Sequence, residues 1–334
     1  MRSSQPRLTI AVPTYNRSSN LALLLGVLAH ELVSEPSVEL IISDNCSPDD
    51  TPNVVEQFIQ AGLRCRYIRN AHNIGPDLNF LQCFNSATGD FVWIFGDDDI
   101  LLPGSIATIL GLIDGQDIDL VYLAPFGFVE DPAERGQANP SPRSKTLRDA
   151  GKFVHAVGLK GDLALITAMI VNKRRIEMYP HPPFSDALNT NLLQLSWVFT
   201  ALNHFQQGIV VDRGLYAVCE KDPSRPFDVA RVFGVNWHSL AMKFLDKGSA
   251  VQEAVLDDQL YSWFPTNWYA LRKTAARTQG APPDTLLRPL YGDRLLYWFS
   301  VYPLLKWPTV LAGTWLAILR SIRKIDRALS GISG

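Results

Sequence analysis

Three neighbouring carboxylates, Asp97-Asp98-Asp99, follow an apolar run, Phe91-Val92-Trp93-Ile94-Phe95, with only Gly96 between them. A short apolar run of this kind fits a strand buried on both faces of a sheet. It would deliver three negative charges to one strand end. Like charges repel, so the cluster needs open solvent or a compensating cation. In open α/β sheets, ligands bind at the carboxyl ends of strands. Carboxylate oxygens there suit Mg²⁺ or Mn²⁺, with phosphate oxygens completing the shell. Aspartate also serves solvated turns and helix caps, so the flanking elements decide between these readings.

Those elements alternate. Residues 8–12 form a short apolar run closed by Pro13 and followed by the polar turn Thr14-Tyr15-Asn16-Arg17, and residues 20–32 carry leucines at helical spacing. A second strand is predicted over 38–42, ending at Ser43-Asp44-Asn45, and Ser47 to Asp50 reads as the cap of a helix through Phe58 and Ile59. Strands over 65–68, 91–95 and 119–123, with helices over 79–86 and after Pro103, complete the pattern. Strands separated by helical segments imply crossover units and a mainly parallel sheet. Polar groups then fall at successive strand ends: Thr14, Asp44 and the aspartate triple. On one sheet edge they would make a crevice for a nucleoside diphosphate, Asp44 accepting from base or ribose and the triple holding a metal on the phosphates. No GxxxxGK[ST] loop is present and no GxGxxG follows a strand, which argues against an ordinary ATPase or dinucleotide oxidoreductase.

Composition bounds the rest. The chain has 334 residues, 47% hydrophobic and 19% charged, which fits an ordered protein of one large or two smaller domains. A net charge of −2 gives no electrostatic case for nucleic-acid binding. Cys46, Cys65, Cys83 and Cys219 lack CxxC spacing and read as reduced thiols. Met1 to Arg7 shows no signal peptide, so a site facing the cytoplasm is expected.

Residues 9–17, TIAVPTYNR, resemble the opening strand of family 2 glycosyltransferases with the GT-A fold, and residues 43–51, SDNCSPDDT, resemble their second motif. Asn73-Ile74-Gly75, then residues 89–99 with Pro103, are similar to the segment carrying the family's DxD metal motif. The resemblance covers about residues 8 to 125. It implies a GT-A, Rossmann-like, mainly parallel sheet flanked by helices, with a helical C-terminal extension. It also implies a nucleotide-sugar site at Pro13, Thr14, Tyr15, Arg17, Asp44, Asp77 and Asp97. Asp98 is then the expected metal ligand, with Asp97 on the ribose or metal. Asp99 supports the loop and is the second metal candidate, the ion being Mg²⁺ or Mn²⁺. Gly96 stands where many relatives have the first Asp of DxD. With residues 73–80, NIGPDLNF, this variant looks more like the abequosyltransferase-like branch, whose members add dideoxyhexoses to lipid-linked O-antigen intermediates.

The implied reaction is transfer with inversion from a CDP-, UDP- or dTDP-sugar to a hydroxyl. Its base is the weak point. Relatives present a Glu-Asp pair at a helix start, whereas residues 182–194 have none; Asp186 is the nearest carboxylate, and a first-turn helix acid is its plain alternative. His181 and His204 are weaker candidates.

The stretch 125–151, rich in Pro, Gly and charge, reads as a lid or a plain insertion. A strand over 163–171, a helix over 185–205 and strands over 208–212 and 216–219 follow. Expected domains are 1–225, with a nucleotide-sugar half (1–125) and an acceptor half (126–225), and a helical region, 226–334. Its end is aromatic and then basic, with Trp298, Trp307 and Trp315 before Arg320, Arg323, Lys324 and Arg327. The longest uncharged run, 307–319, falls well short of the ~20 residues that span a bilayer. The segment either lies in the inner-leaflet interface, close to a polyprenyl-diphosphate-linked acceptor, or packs with a basic outer face. Competing readings are a rhamnosyl or polyprenyl-phosphate glycosyltransferase of the same fold, and a catalytically decayed nucleotide-sugar-binding scaffold.

Overall fold

Every residue of β1 (Leu8–Thr14) is buried, as expected of a strand covered on both faces by helices. In this computed structural model, which describes residues 5–128, 142–212, 214–219, 228–273 and 283–330, β1 lies inside an eight-stranded sheet. The chain leaves β1 through α1 (Ser18–Glu31) to β2 (Val38–Asp44), then through α2 (Thr51–Gln60) to β3 (Arg66–Arg69). It crosses back through α3 (Pro76–Ser86) to β4 (Phe91–Ile94) on the other side of β1. These four strands pair in parallel, and the register sets Thr14 opposite Asp44.

Next come β5 (Ile100–Leu101), α4 (Ser105–Ile113), β6 (Leu120–Leu123), β7 (Phe126–Phe128), β8 (Ser144–Leu147), α5 (Ala150–Lys160), β9 (Met169–Asn172), α6 (Lys173–Ile176), α7 (Gln194–Asn203), β10 (Gly208–Val211) and β11 (Tyr216–Cys219). The large sheet runs β3-β2-β1-β4-β9-β6-β10-β8 and a small one β5-β11-β7. β9 is antiparallel to both β4 and β6, so it joins two parallel blocks, and β8 is an antiparallel edge strand.

Three expectations change. The strand expected over 163–171 is only β9, preceded by a 3₁₀ turn at Ile166–Ala168. The helix expected over 185–205 is α7 alone. Before it lie a 3₁₀ turn, Phe184–Ala187, and two left-handed residues, Asn189 (φ 61°) and Asn191 (φ 57°), which no α-helix accommodates. α7 is buried all round from Gln194 to Leu202, so its apolar residues mark a core helix instead of an amphipathic one. The proline- and glycine-rich stretch ends in β7 and β8, and its centre, 129–141, lies outside the described residues.

The chain divides into two compact units, Met1–Arg148 with Leu163–Pro223, and Asp149–Asp162 with Ser224–Gly334. The first holds both sheets. The second is helical: α5 packs on α9 (Ala250–Asp258), with α8 (Trp237–Phe244), α10 (Phe264–Lys273), α11 (Pro283–Tyr291), α12 (Tyr302–Lys306) and α13 (Thr309–Leu329). Trp237, Trp268, Tyr291 and Tyr297 fill its interior. Among the described residues no helix is long and apolar enough to cross a membrane.

Candidate active site

β1 pairs with β2 on one side and β4 on the other, so the strand order reverses at β1. The carboxyl ends of these strands share one edge, and a crevice at such a reversal is where open α/β sheets take ligands. Thr14, at the end of β1, donates its hydroxyl to Asp97 Oδ2 at 2.7 Å. From the turn that follows, Arg17 Nη1 reaches Asp97 Oδ1 at 3.2 Å and Asp98 Oδ2 at 2.6 Å. The turn is set by Asn16, left-handed at φ 55°, whose N–H donates to Ser47 Oγ. Arg17 is therefore the compensating cation that the aspartate cluster requires. Burial pushes the Asp97 carboxyl up to about 6; Arg17 opposes the shift, the Asp98 charge adds to it, and the Thr14 hydroxyl opposes it.

A divalent ion is implied by the sequence resemblance, and the local chemistry can be tested against it. A Cβ built on Gly96 would lie 3.0 Å from Asp99 Oδ2, 3.1 Å from Asp98 Oδ1 and 3.2 Å from Thr167 Oγ1. Three oxygens thus gather over a residue that has no side chain. Hard oxygen donors of this type fit Mg²⁺ or Mn²⁺, which keep few protein ligands and take the rest from water and phosphate. Among the described residues no group of three or more His, Cys, Asp or Glu is gathered to hold a metal alone. An ion held here would need further oxygens from outside the protein.

Asp44 is fully buried at the end of β2. Its Oδ1 accepts the Ser47 N–H at 2.8 Å, and its Oδ2 accepts the Tyr67 hydroxyl at 2.7 Å and lies 3.4 Å from Arg69 Nε. Burial, with Asp44 next, drives the Tyr67 phenol well above its ordinary range. The sequence reading missed Tyr67 and Arg69. Strand alternation was the available signal, because β3 registers Arg69 against Asp44 and puts Tyr67 on the same face. Behind Asp44, amides hold the 70–75 loop. Asn45 Nδ2 donates to Asn73 Oδ1 and to the Gly75 carbonyl, Asn70 Nδ2 to Asn45 Oδ1, and Gln82 Nε2 to Asn70 Oδ1 and Ser43 Oγ. The Asn73-Ile74-Gly75 motif is tied to β2 through this web.

Asp77, in the first turn of α3, is buried, and its Oδ2 accepts the N–H groups of Thr190 and Asn191 at 2.9 and 3.1 Å. Burial pushes its carboxyl up while these N–H groups pull it down. Its Oδ1 is buried and has no hydrogen-bond partner among the described residues. One oxygen of this expected sugar-binding residue is thus committed to the loop before α7. Asp186 is exposed on the turn Phe184–Ala187, just ahead of that loop. His181 stacks on Phe184 and His204 on Tyr179, so both histidines pack against rings. Pro13 is buried within β1, and Tyr15 is exposed at the crevice turn. A cavity of about 540 Å³ opens at the opposite, amino-terminal sheet edge. In its lining Arg7 pairs with Asp90 and Arg175 with Asp117 and Asp119, and Arg174 is exposed.

Residues 9–174 match the family described as glycosyl transferase family 2. They form a family 2 glycosyltransferase domain. Among curated proteins, the abequosyltransferase RfbV of Salmonella typhimurium is 36% identical over 110 residues, 33% of each chain. The GalNAc(5)-diNAcBac-PP-undecaprenol beta-1,3-glucosyltransferase of Campylobacter jejuni is 33% identical over 106 residues, 31% of this chain and 34% of that one. The matched part therefore spans about a third of the length of these relatives. Among solved structures, S. aureus TarS 1–349 in complex with UDP-GlcNAc superposes with a TM-score of 0.62 at 15% identity, covering 95% of this chain and 92% of that one. The mannosyltransferase PcManGT of Pyrobaculum calidifontis, in complex with GDP-Man and Mn²⁺, gives 0.51 at 17% identity over 97% and 88%. The family 2 domain has the GT-A fold.

Proposed function

We propose that this glycosyltransferase inverts the anomeric centre of a nucleoside-diphosphate sugar, of the deoxyhexose class, and delivers the sugar to a hydroxyl of a lipid-linked oligosaccharide in O-antigen-like polysaccharide synthesis at a membrane surface. The observation that carries the reading is the joining of Thr14, Arg17, Asp97 and Asp98 at the strand reversal. The similarity to an abequosyltransferase and to a glucosyltransferase named for an undecaprenol-linked substrate supports the sugar and acceptor classes.

In this reading Asp44 and its partners Tyr67 and Arg69 shape the nucleoside end of the crevice, and Asp97 takes the ribose. Asp98 and Asp99 would hold a divalent ion, which would supply Lewis-acid charge at the diphosphate. Arg17 stands beside them and adds positive charge where the phosphate oxygens gain negative charge. The acceptor hydroxyl attacks the anomeric carbon from the face opposite the diphosphate. The carbon–oxygen bond to phosphate breaks with its electron pair, and Asp186 accepts the hydroxyl proton.

Calorimetry with CDP, UDP, GDP and dTDP, with and without Mn²⁺, tests the donor site. One nucleotide should bind in a metal-dependent way and lose that binding in Asp98→Ala; no metal-dependent binding of any would end the reading. A second reading, a nucleotide-sugar-binding scaffold, is favoured by the lack of a Glu-Asp pair before α7 and by the exposure of Asp186. Asp186→Asn separates the two: transfer falls with donor affinity intact if Asp186 is the base.

A further inference from the structure

α7 begins without a cap of its own. Its N-cap residue, Leu193, makes no side-chain cap bond, and its first turn carries no acid. The start of a helix favours a negative charge beside it. Here that charge comes from another helix. Asp77, 6% exposed in the first turn of α3, accepts the Thr190 and Asn191 N–H groups just ahead of α7. The Leu193 and Asn189 N–H groups also favour its charged form. The other carboxylate oxygen is closed off from solvent and has no hydrogen-bond partner among the described residues. No nucleotide sugar reaches it while the loop is in place.

The loop that Asp77 holds runs on from the turn that bears Asp186. The Thr190 hydroxyl donates to the Ala187 carbonyl at 2.6 Å, one residue past Asp186. On the other side of Asp186, the Phe184 ring meets Phe84 of α3 edge-on at 5.5 Å, and Phe84 stacks on Trp197 of α7 at 4.7 Å. Both flanks of the Asp186 turn thus rest on α3. The same helix is fastened to the end of β2. Asn79 Nδ2 donates to the Ser43 carbonyl at 3.0 Å, and Asn79 Oδ1 accepts the Ser43 hydroxyl at 2.6 Å. At the start of α3 the Gly75 carbonyl accepts from Asn45 Nδ2. Ser43 and Asn45 flank Asp44, so α3 spans from the Asp44 end of the crevice to the start of α7.

We propose that Asp77 is a positioning residue: it fixes the loop before α7, and through it the Asp186 turn, in register with the nucleotide crevice, and does not itself bind the nucleotide sugar. The proposal rests on the transferase reading above. Asp77→Ala removes the acceptor, whereas Asp77→Asn keeps one acceptor oxygen for the two N–H groups without the charge. The fold of each is checked by circular dichroism. Three readouts are compared: hydrogen exchange of the 184–194 backbone by mass spectrometry, calorimetry with CDP, UDP, GDP and dTDP in Mn²⁺, and steady-state transfer. Transfer uses a sugar of the nucleotide that binds and a polyprenyl-diphosphate-linked saccharide. Asp77→Ala should speed exchange at residues 190 and 191 about tenfold or more. It should leave nucleotide affinity unchanged and lower kcat about a hundredfold at constant donor KM. Asp77→Asn should restore most of the protection and most of the rate. Nucleotide binding lost in Asp77→Ala, as in Asp98→Ala, overturns the proposal, because the carboxylate is then a donor ligand. So does unchanged exchange or unchanged transfer in Asp77→Ala. An Asp77→Asn variant that keeps the loop protected yet loses transfer also overturns it, since the carboxylate then acts in the chemistry. A wild type that binds no nucleotide ends the transferase reading instead, and exchange in the two variants still shows whether Asp77 holds the loop.

Discussion

Replacing Arg17 by methionine should make the aspartate cluster bind a divalent ion more tightly and a nucleoside diphosphate less tightly. In the structure one guanidinium nitrogen serves both Asp97 and Asp98, so an ion approaching these carboxylates competes with a resident charge. At an effective dielectric of about 20, opposite charges near 4 Å attract by about 4 kcal/mol. The Arg17 and Asp98 side chains are 34% and 29% exposed, and screening at such exposure leaves about 1 to 2 kcal/mol. Removing the competitor should then raise affinity for Mn²⁺ alone roughly five- to thirtyfold. Methionine keeps most of the stem, which limits loss of packing. The assay is titration with Mn²⁺ at pH 8, where Asp97 is ionised, following the paramagnetic resonance of the free ion without nucleotide. Calorimetry with a nucleotide at saturating Mn²⁺ should show the opposite sign, because the phosphate oxygens lose a cation. A variant that binds Mn²⁺ no better than wild type would refute the argument that Arg17 is the counter-ion of the cluster.

Three further outcomes are expected. Because the Asp97 carboxyl sits near 6, metal-dependent nucleotide affinity should rise about tenfold from pH 5 to 7 and then level off; Thr14→Val, which removes a hydrogen bond favouring the ionised form, should move the midpoint upward in calorimetry across pH. Gly89→Ala should destabilise the sheet unit by about 2 kcal/mol or more in denaturant titration, since the added Cβ would lie 2.7 Å from Thr9 N and 2.9 Å from the Leu8 carbonyl carbon, both backbone atoms. Asp258 in the helical unit is pushed up to about 7 by burial, so its contribution to stability is complete below about pH 4 and is lost as pH rises through 7. Asp258→Asn should flatten that decline in melting temperature measured against pH.

The parallel sheet was legible because its strands are buried on both faces, and residues such as Ile10, Ile41 and Trp93 leave continuous apolar runs. The aspartate triple was legible by its position directly after such a run. Arg17 could be expected near a ligand, but its pairing with Asp98 depends on β1 and β4 lying side by side, which no local pattern encodes. Alternation along β3 puts Tyr67 and Arg69 on one face, but their meeting with Asp44 depends on β3 pairing with β2. α7 misled because leucines at helical spacing mark a core helix and a surface helix alike, while Asn189 and Asn191 look like ordinary polar residues until their left-handed backbone is seen. In the basic tail, Arg323 and Arg327 spend their donors on backbone carbonyls inside the unit, a commitment that composition does not show.

The grip of Asp77 on the 190–191 backbone bears on how such domains can recombine. A chimera joined anywhere between α3 and α7 takes the carboxylate from one parent and its N–H donors from the other. Because those donors are main chain, the incoming segment need not match in side-chain chemistry, only in shape: residues that tolerate the left-handed conformation at 189 and 191. An acid at 77 in one parent and asparagine or glycine at those two places in the other would suffice to seat the foreign loop. Segments that carry the 189–191 loop can then be exchanged as cassettes under a three-position compatibility rule.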